Sequence, residues 1–303
     1  MSFLDIVRRA CAGIVRSAEY VHIDAERIEA YVRTLPFDAV PAGLDPALHY
    51  VEPERDPEGT AAFILTLDSV NFGSGWFPEV FGPTASGYAA VAGRLAAHVR
   101  EHGPLPADRL AELTPADTAA LFGLDPSQPA AAELAELYAS ALNDLGRFVG
   151  GAYGGRFLDL VAAADGSAER MIGLLWRMPL FDDSPFYKRA QIAAADLALA
   201  GVAAFADLDR LTAFADNLLP HVLRHDGVLI YAPELAERID RGAFIPAGSR
   251  EETEIRAASV VAVELLSGAS GVPARRIDQV LWHRGQQPEY RAKPRHRTKT
   301  TCY

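Results

Sequence analysis

Apolar residues recur at intervals of three and four through RIEAYVRTL, YAAVAGRLAAHVREHG, AAELAELYASALNDLGRFV and RAQIAAADLALAGVAAF, and alanine fills many positions between them. This spacing lays an apolar stripe along each segment, and alanine loses little entropy in a helix, so helix is predicted as the dominant element. The opening MSFLDIVRRACAGIVRSAEYV sets Asp5, Arg8, Arg9, Arg16 and Glu19 among apolar positions, the pattern of an amphipathic helix and not of an export signal. Helix starts are marked by Thr114 before Pro115 with Asp117 following, and by Ser249 with Glu252 three residues on. The strand-like patches are short, mainly AAFILTLDSVNF and, less clearly, GVLIY. The expected fold class is therefore mainly α with at most a small β element. The Pro-rich 36–58 region, GPLPADR at 103–109 and the tail QQPEYRAKPRHRTKTTCY read as irregular. With no repeat and no long linker, residues 1–303 are expected to form one compact unit, or two interlocked helical subdomains.

Composition narrows the function classes. A chain of 303 residues that is 50% hydrophobic can bury a sizeable core without staples. Its only cysteines, Cys11 and Cys302, lie near opposite ends, so neither a disulfide framework nor a four-ligand zinc site is expected, and a reducing cytoplasm fits. No stretch approaches the ~20 apolar residues that cross a bilayer, which predicts a soluble protein. A net charge of −11 repels a long phosphate backbone but tolerates a small anionic ligand. His221 and His225 share a helical face but lack a third ligand, so neither metal nor cofactor is expected.

The chemistry concentrates between Met178 and Leu223. Ser184 and Pro185 suit N-cap and N1, which would set Phe186, Tyr187, Lys188 and Arg189 in a first helical turn. Cations there oppose the helix dipole by ~0.3–1 kcal/mol unless an anion sits beside them; the ordinary alternative is that both side chains reach into water. In LTAFADNLLPHV, Asp216 stands among Phe214, Leu218 and Leu219, where its ionised form is poorly solvated. An N-cap is the ordinary role of such an aspartate, and a chemical role can coexist with it. A basic helix start followed by an aspartate at the next helix resembles the helix-hairpin-helix base-excision glycosylases, although LFDDSPF lacks their glycine-rich hairpin.

A resemblance covering nearly the whole chain is carried by LHYVEP (48–53), LDSVNFGSGWFP (67–78), GGRFLDLV (154–161), FYKRAQIAAADL (186–197), FADNLLPHVL (214–223), ETEIRAASVVAVELL (252–266), IDQVLWHRG (277–285) and the final HRTKTTCY. The chain resembles the queuosine salvage protein family, the queuosine 5′-phosphate N-glycosidases. The resemblance implies a helical fold related to DNA glycosylases and hydrolysis of queuosine 5′-monophosphate to queuine and ribose 5-phosphate. It departs at NFGSGW, where relatives carry NFxFW, and at ADNLLPH, where they carry ADYRxPQ.

Breaking an N-glycosidic bond builds positive charge at C1′ and negative charge on the base. The resemblance assigns Asp216 to C1′, by stabilising it, attacking it or steering water. Queuine is a 7-deazaguanine and lacks the ring nitrogen that other purine hydrolases protonate, so its anion must be stabilised elsewhere. His49, Asn71, Phe72, Trp76, Asp278 and Trp282 are implied at the base, and Lys188 at the 5′-phosphate. Lys188 is supported by a tail in which Arg291, Lys293, Arg295, Arg297 and Lys299 occur with no acid from 291 onward. Tyr187, Phe214, Asn217, His296 and Arg297 complete the candidate contacts. The partners expected are the nucleotide and its product only, with no stable nucleic-acid partner, no membrane and a monomeric state. The competing classes are a nucleic-acid base glycosylase and a noncatalytic module that captures a modified nucleotide.

Overall fold

The run AAFILTLDSV folds as helix. The computed structural model describes residues 2–39, 41, 43–82 and 85–303, and in it Pro57–Ser69 is a helix in which every residue from Gly59 to Ser69 is buried. The strand expected here is thus corrected: an apolar run without periodicity also suits a helix covered on all sides, and Asp56 caps this one by accepting the Gly59 amide at 2.8 Å. The segment GVLIY does contain a strand, Leu229–Tyr231 (β2), which pairs antiparallel with Val21–Ile23 (β1). The fold is mainly α with this two-stranded element.

Eight helices frame the region of interest: α1 (Phe3–Arg16), α2 (Pro57–Ser69), α3 (Gly87–His102), α4 (Pro129–Tyr153), α5 (Lys188–Leu199), α6 (Leu219–His225), α7 (Arg250–Ser270) and α8 (Ala274–Gly285). The buried α2 packs on α3, α4 and α5, while α7 packs on α1, α6 and α8. Both marked caps form: Thr114 and Asp117 exchange the bonds of a capping box, and Ser249 Oγ accepts the Glu252 amide. No single helix among the described residues is long and apolar enough to cross a membrane.

Helix α5 starts three residues later than Ser184–Pro185 predicts, at Lys188, because Asp183 supplies the cap. The Asp183 carbonyl accepts the Phe186 and Tyr187 amides, and its Oδ2 accepts the Lys188 amide at 3.1 Å. Phe186 and Tyr187 therefore precede the helix, with Tyr187 at φ +50°. Asp183 is itself held by Arg256 of α7 through two bonds, Nη1 to Oδ1 at 2.8 Å and Nη2 to Oδ2 at 2.7 Å, with both side chains buried. Arg256 Nε also donates to the Ala215 carbonyl, and its guanidinium lies 4.0 Å from the Phe186 ring centroid and 4.8 Å from that of Tyr303.

The tail is folded in. Arg297 forms a parallel bridge with Phe244, Gly73 N donates to the Tyr303 carbonyl, and Tyr303 is 2% exposed. Gly75 is required by this closure, since a Cβ there would lie 2.2 Å from the Thr298 carbonyl oxygen.

Asp183→Ala strands a buried guanidinium. It should lower unfolding free energy by about 3–5 kcal/mol in denaturant titrations, and a loss below ~1 kcal/mol would mean that the pair does not hold the fold.

Candidate active site

Two facts of sequence place Asp216. The loop 213–218 is tied to α7 by the Arg256 bond to Ala215, and α6 begins immediately afterwards with Pro220 in its first turn. Asp216 Oδ1 accepts the Leu218 and Leu219 amides at 2.8 and 2.9 Å, so the side chain caps α6 with one oxygen and keeps the other free of that duty. It remains half-buried. Its electrostatic neighbours come from three directions: Lys188 at the start of α5, Asp278 on α8 and Arg295 in the tail.

Lys188 is 4% exposed. Its Nζ donates to the Asn71 carbonyl and Oδ1 at 3.0 and 3.3 Å, and forms no ion pair among the described residues. Burial pulls its ammonium below the ordinary lysine range, against the attraction of Asp216, Asp68 and Asp183. Asp68, at the end of α2, is wholly buried; Oδ1 accepts from Asn71 Nδ2 at 3.2 Å, and Oδ2 has no partner among the described residues. Burial raises its carboxyl to about 7, against the pull of Asn71, Lys188 and Arg189. Asp196, eight residues after Lys188 and so on the same face of α5, is pushed well up by burial and by Asp68. Asp278 is pushed well up by burial and then by Asp216, although its Oδ2 accepts the Phe214 amide at 2.8 Å. Five carboxyl groups, those of Asp68, Asp183, Asp196, Asp216 and Asp278, thus lie within electrostatic reach of one lysine.

An aromatic wall adjoins them. Trp282, one turn after Asp278 on α8, meets Tyr88 of α3 edge to face at 5.9 Å. His49 Nδ1 lies 2.8 Å from the Asp45 carbonyl, which can only accept, so Nδ1 carries the proton. Burial lowers the His49 pKa and keeps the ring neutral; Nε2 then accepts from the Tyr88 hydroxyl at 2.8 Å. Tyr88, Asn71, Asp196, Phe214, Asp216 and Trp282 are each half-buried, whereas Lys188, Asp68 and Asp278 are buried.

Other candidate contacts lie in packing. Phe72 sits edge to face with Tyr138 and beneath the Arg189 guanidinium. The Trp76 indole donates to Glu133, Tyr187 packs on Phe3 and Trp176, and Arg297 donates to Gly75 and Glu79. His296 is buried against Tyr303 with its pKa lowered to about 3, first by burial and then by Arg256. Asn217 donates to the His296 carbonyl at 3.3 Å and so stitches the Asp216 loop to the tail. Asp68, Tyr88 and Asp196 were not singled out by sequence reasoning, and Arg295 was named only among the tail cations; the signal for the acids was present, since Asp68 and Asp196 are lone charges inside long apolar helical runs.

Comparison with known proteins adds an independent line. The family model described as "Queuosine salvage protein" matches residues 50–303. The chain is 36% identical to a protein of Sphaerobacter thermophilus named queuosine 5′-phosphate N-glycosylase/hydrolase, over 96% of this chain and 95% of that one. Proteins of the same name from Dictyostelium discoideum and Bos taurus are 32% and 31% identical, over 81% and 73% of this chain and 79% and 70% of theirs.

Asp68 has a titration signature. Its folded pKa of about 7 exceeds the ordinary 3.8, so the folded state binds the extra proton and this contribution to stability is lost as pH rises between about 4 and 7. Asp68→Asn should remove that loss. Urea midpoints at pH 5 and pH 8 should differ less for the variant than for the wild type, and equal differences would place the titration elsewhere.

Proposed function

The chain belongs to the queuosine salvage protein family, and from that premise we propose that it hydrolyses the N-glycosidic bond of queuosine 5′-monophosphate, releasing queuine and ribose 5-phosphate. The observation that carries the reading is Asp216: a half-buried carboxylate fixed by two amide hydrogens, facing Lys188 and Asp278, with Tyr88 and Trp282 also half-buried.

As the bond to the base lengthens, positive charge grows on C1′ and the ring oxygen. A fixed carboxylate in water-poor surroundings stabilises that charge with little reorganisation, which is the role assigned to Asp216. The departing deazapurine needs a donor at a position other than the missing ring nitrogen. Asp278, kept protonated by burial and by the neighbouring Asp216, is the acid assigned to supply a hydrogen bond or proton on that side. Tyr88 and Trp282 are assigned to the flat faces of the base, with Asn71 and Asp196 at polar edges. His49 acts through Tyr88, whose hydroxyl it orients.

The expectation that Lys188 meets the 5′-phosphate sits poorly with its surroundings. Its ammonium is buried and already donates to the Asn71 carbonyl and Oδ1, and Asp68, Asp183, Asp196, Asp216 and Asp278 lie within its electrostatic reach. Lys188 is assigned instead to holding Asn71 and balancing the acids.

Incubation with queuosine 5′-monophosphate and chromatography should yield free queuine. Asp216→Asn should lower kcat by on the order of 10²–10³-fold or more with little change in substrate Kd, as expected for a group that acts on charge developing in the transition state. Intact nucleotide after prolonged incubation with the wild type would overturn the hydrolase reading.

A further inference from the structure

We propose that Arg295 receives the 5′-phosphate of the substrate; this rests on the hydrolase reading and names the group that the reading leaves without a partner. The tail cations are distinguished by what already holds them. Arg297 donates to the Gly75 carbonyl and ion-pairs with Glu79, Lys299 ion-pairs with Glu133, and Lys293 lies 3.1 Å from His225 Nδ1. Arg295 is half-buried and has no hydrogen bond or ion pair among the described residues.

Its position is fixed although its charge is not answered. The next residue in the chain, His296, accepts a hydrogen bond on its carbonyl from Asn217, the residue after Asp216. One residue further, the Arg297 carbonyl accepts the Ile245 amide at 2.8 Å. The backbone that carries Arg295 is thus pinned on its C-terminal side to the Asp216 loop and to residue 245, and the guanidinium lies within electrostatic reach of Asp216. Its other charged neighbour is Arg291, four residues back, a cation that repels it. His221, on the adjoining α6, has its pKa lowered to about 3, chiefly by burial, with Arg295 among the cations that lower it further, and so stays neutral.

Arg295 thus places a guanidinium within electrostatic reach of Asp216, and its planar donors match phosphate oxygens. With C1′ against Asp216 and the phosphate on Arg295, the base is directed toward Tyr88, Trp282 and Asp278.

The test compares queuosine 5′-monophosphate with unphosphorylated queuosine. Arg295→Ala should lower kcat/KM for the monophosphate by on the order of 10- to 100-fold and for the nucleoside by less than about 3-fold, and Arg295→Lys should recover part of the loss. Ribose 5-phosphate should inhibit the wild type competitively and the alanine variant at least about 10-fold more weakly. Should alanine unfold the tail, Arg295→Gln keeps the stem and serves the same comparison. Equal losses for both substrates, or undiminished inhibition by ribose 5-phosphate, overturn the assignment. Wild-type protein that cleaves neither substrate overturns the hydrolase reading instead, so the two failures are distinguishable.

Discussion

A guanidinium shut off from water organises this molecule. Arg256 is 3% exposed, and an unpaired charge at such a place costs several kcal/mol, so the chain around it must supply acceptors and polarisable faces. Asp183 supplies both carboxylate oxygens, Ala215 a carbonyl, and Phe186 and Tyr303 ring faces. These groups come from the turn before α5, the Asp216 loop and the chain end, three segments with no local reason to meet. Satisfying one charge therefore fixes the start of α5, where Lys188 sits, and the loop that carries Asp216. The geometry of the cleft is a consequence of that satisfaction.

The same burial that makes Arg256 demanding makes the acids reluctant to ionise. Asp68, Asp196 and Asp278 are each pushed upward with desolvation as the first cause, and a neighbouring acid adds to the push on Asp196 and Asp278. Acids can gather near one lysine here because burial favours the neutral form of three of them. Net composition hides this: an overall charge of −11 says nothing about which acids carry protons.

The helical class, the two caps at Thr114 and Ser249, the strand in GVLIY and the aspartate at a helix start were legible because each depends on spacing of a few residues. The mistaken strand at AAFILTLDSVNF and the late start of α5 share a different cause. Whether an apolar run is a covered helix depends on what surrounds it, and whether Ser184 or Asp183 caps a helix depends on Arg256, some seventy residues away. Long-range satisfaction of buried charge leaves no local pattern. Among the candidate contacts, the resemblance pointed to motifs and not to the exposure of each residue within them. In LDSVNFGSGWFP, Asn71 is half-buried while Phe72 and Trp76 pack inward, and Asp68 went unnoticed although a lone acid in an apolar helix is a signal in its own right.

In the proposed mechanism Asp216 and Asp278 take two roles with the same functional group. Asp216 is among the causes that push the Asp278 carboxyl up, second to burial. Asp278 lies deep in α8 with a single amide donor on one oxygen, whereas Asp216 takes two amides at a helix start and has Lys188 and Arg295 in reach. Burial disfavours negative charge at Asp278, which suits it to the proposed role of hydrogen-bond donor to the base. In the proposed reaction a deazapurine leaving group gives Asp278 its use: with no ring nitrogen to protonate at the usual place, the anion forming on the base needs a hydrogen held by the protein, and a carboxyl pushed up first by burial and then by Asp216 can supply it.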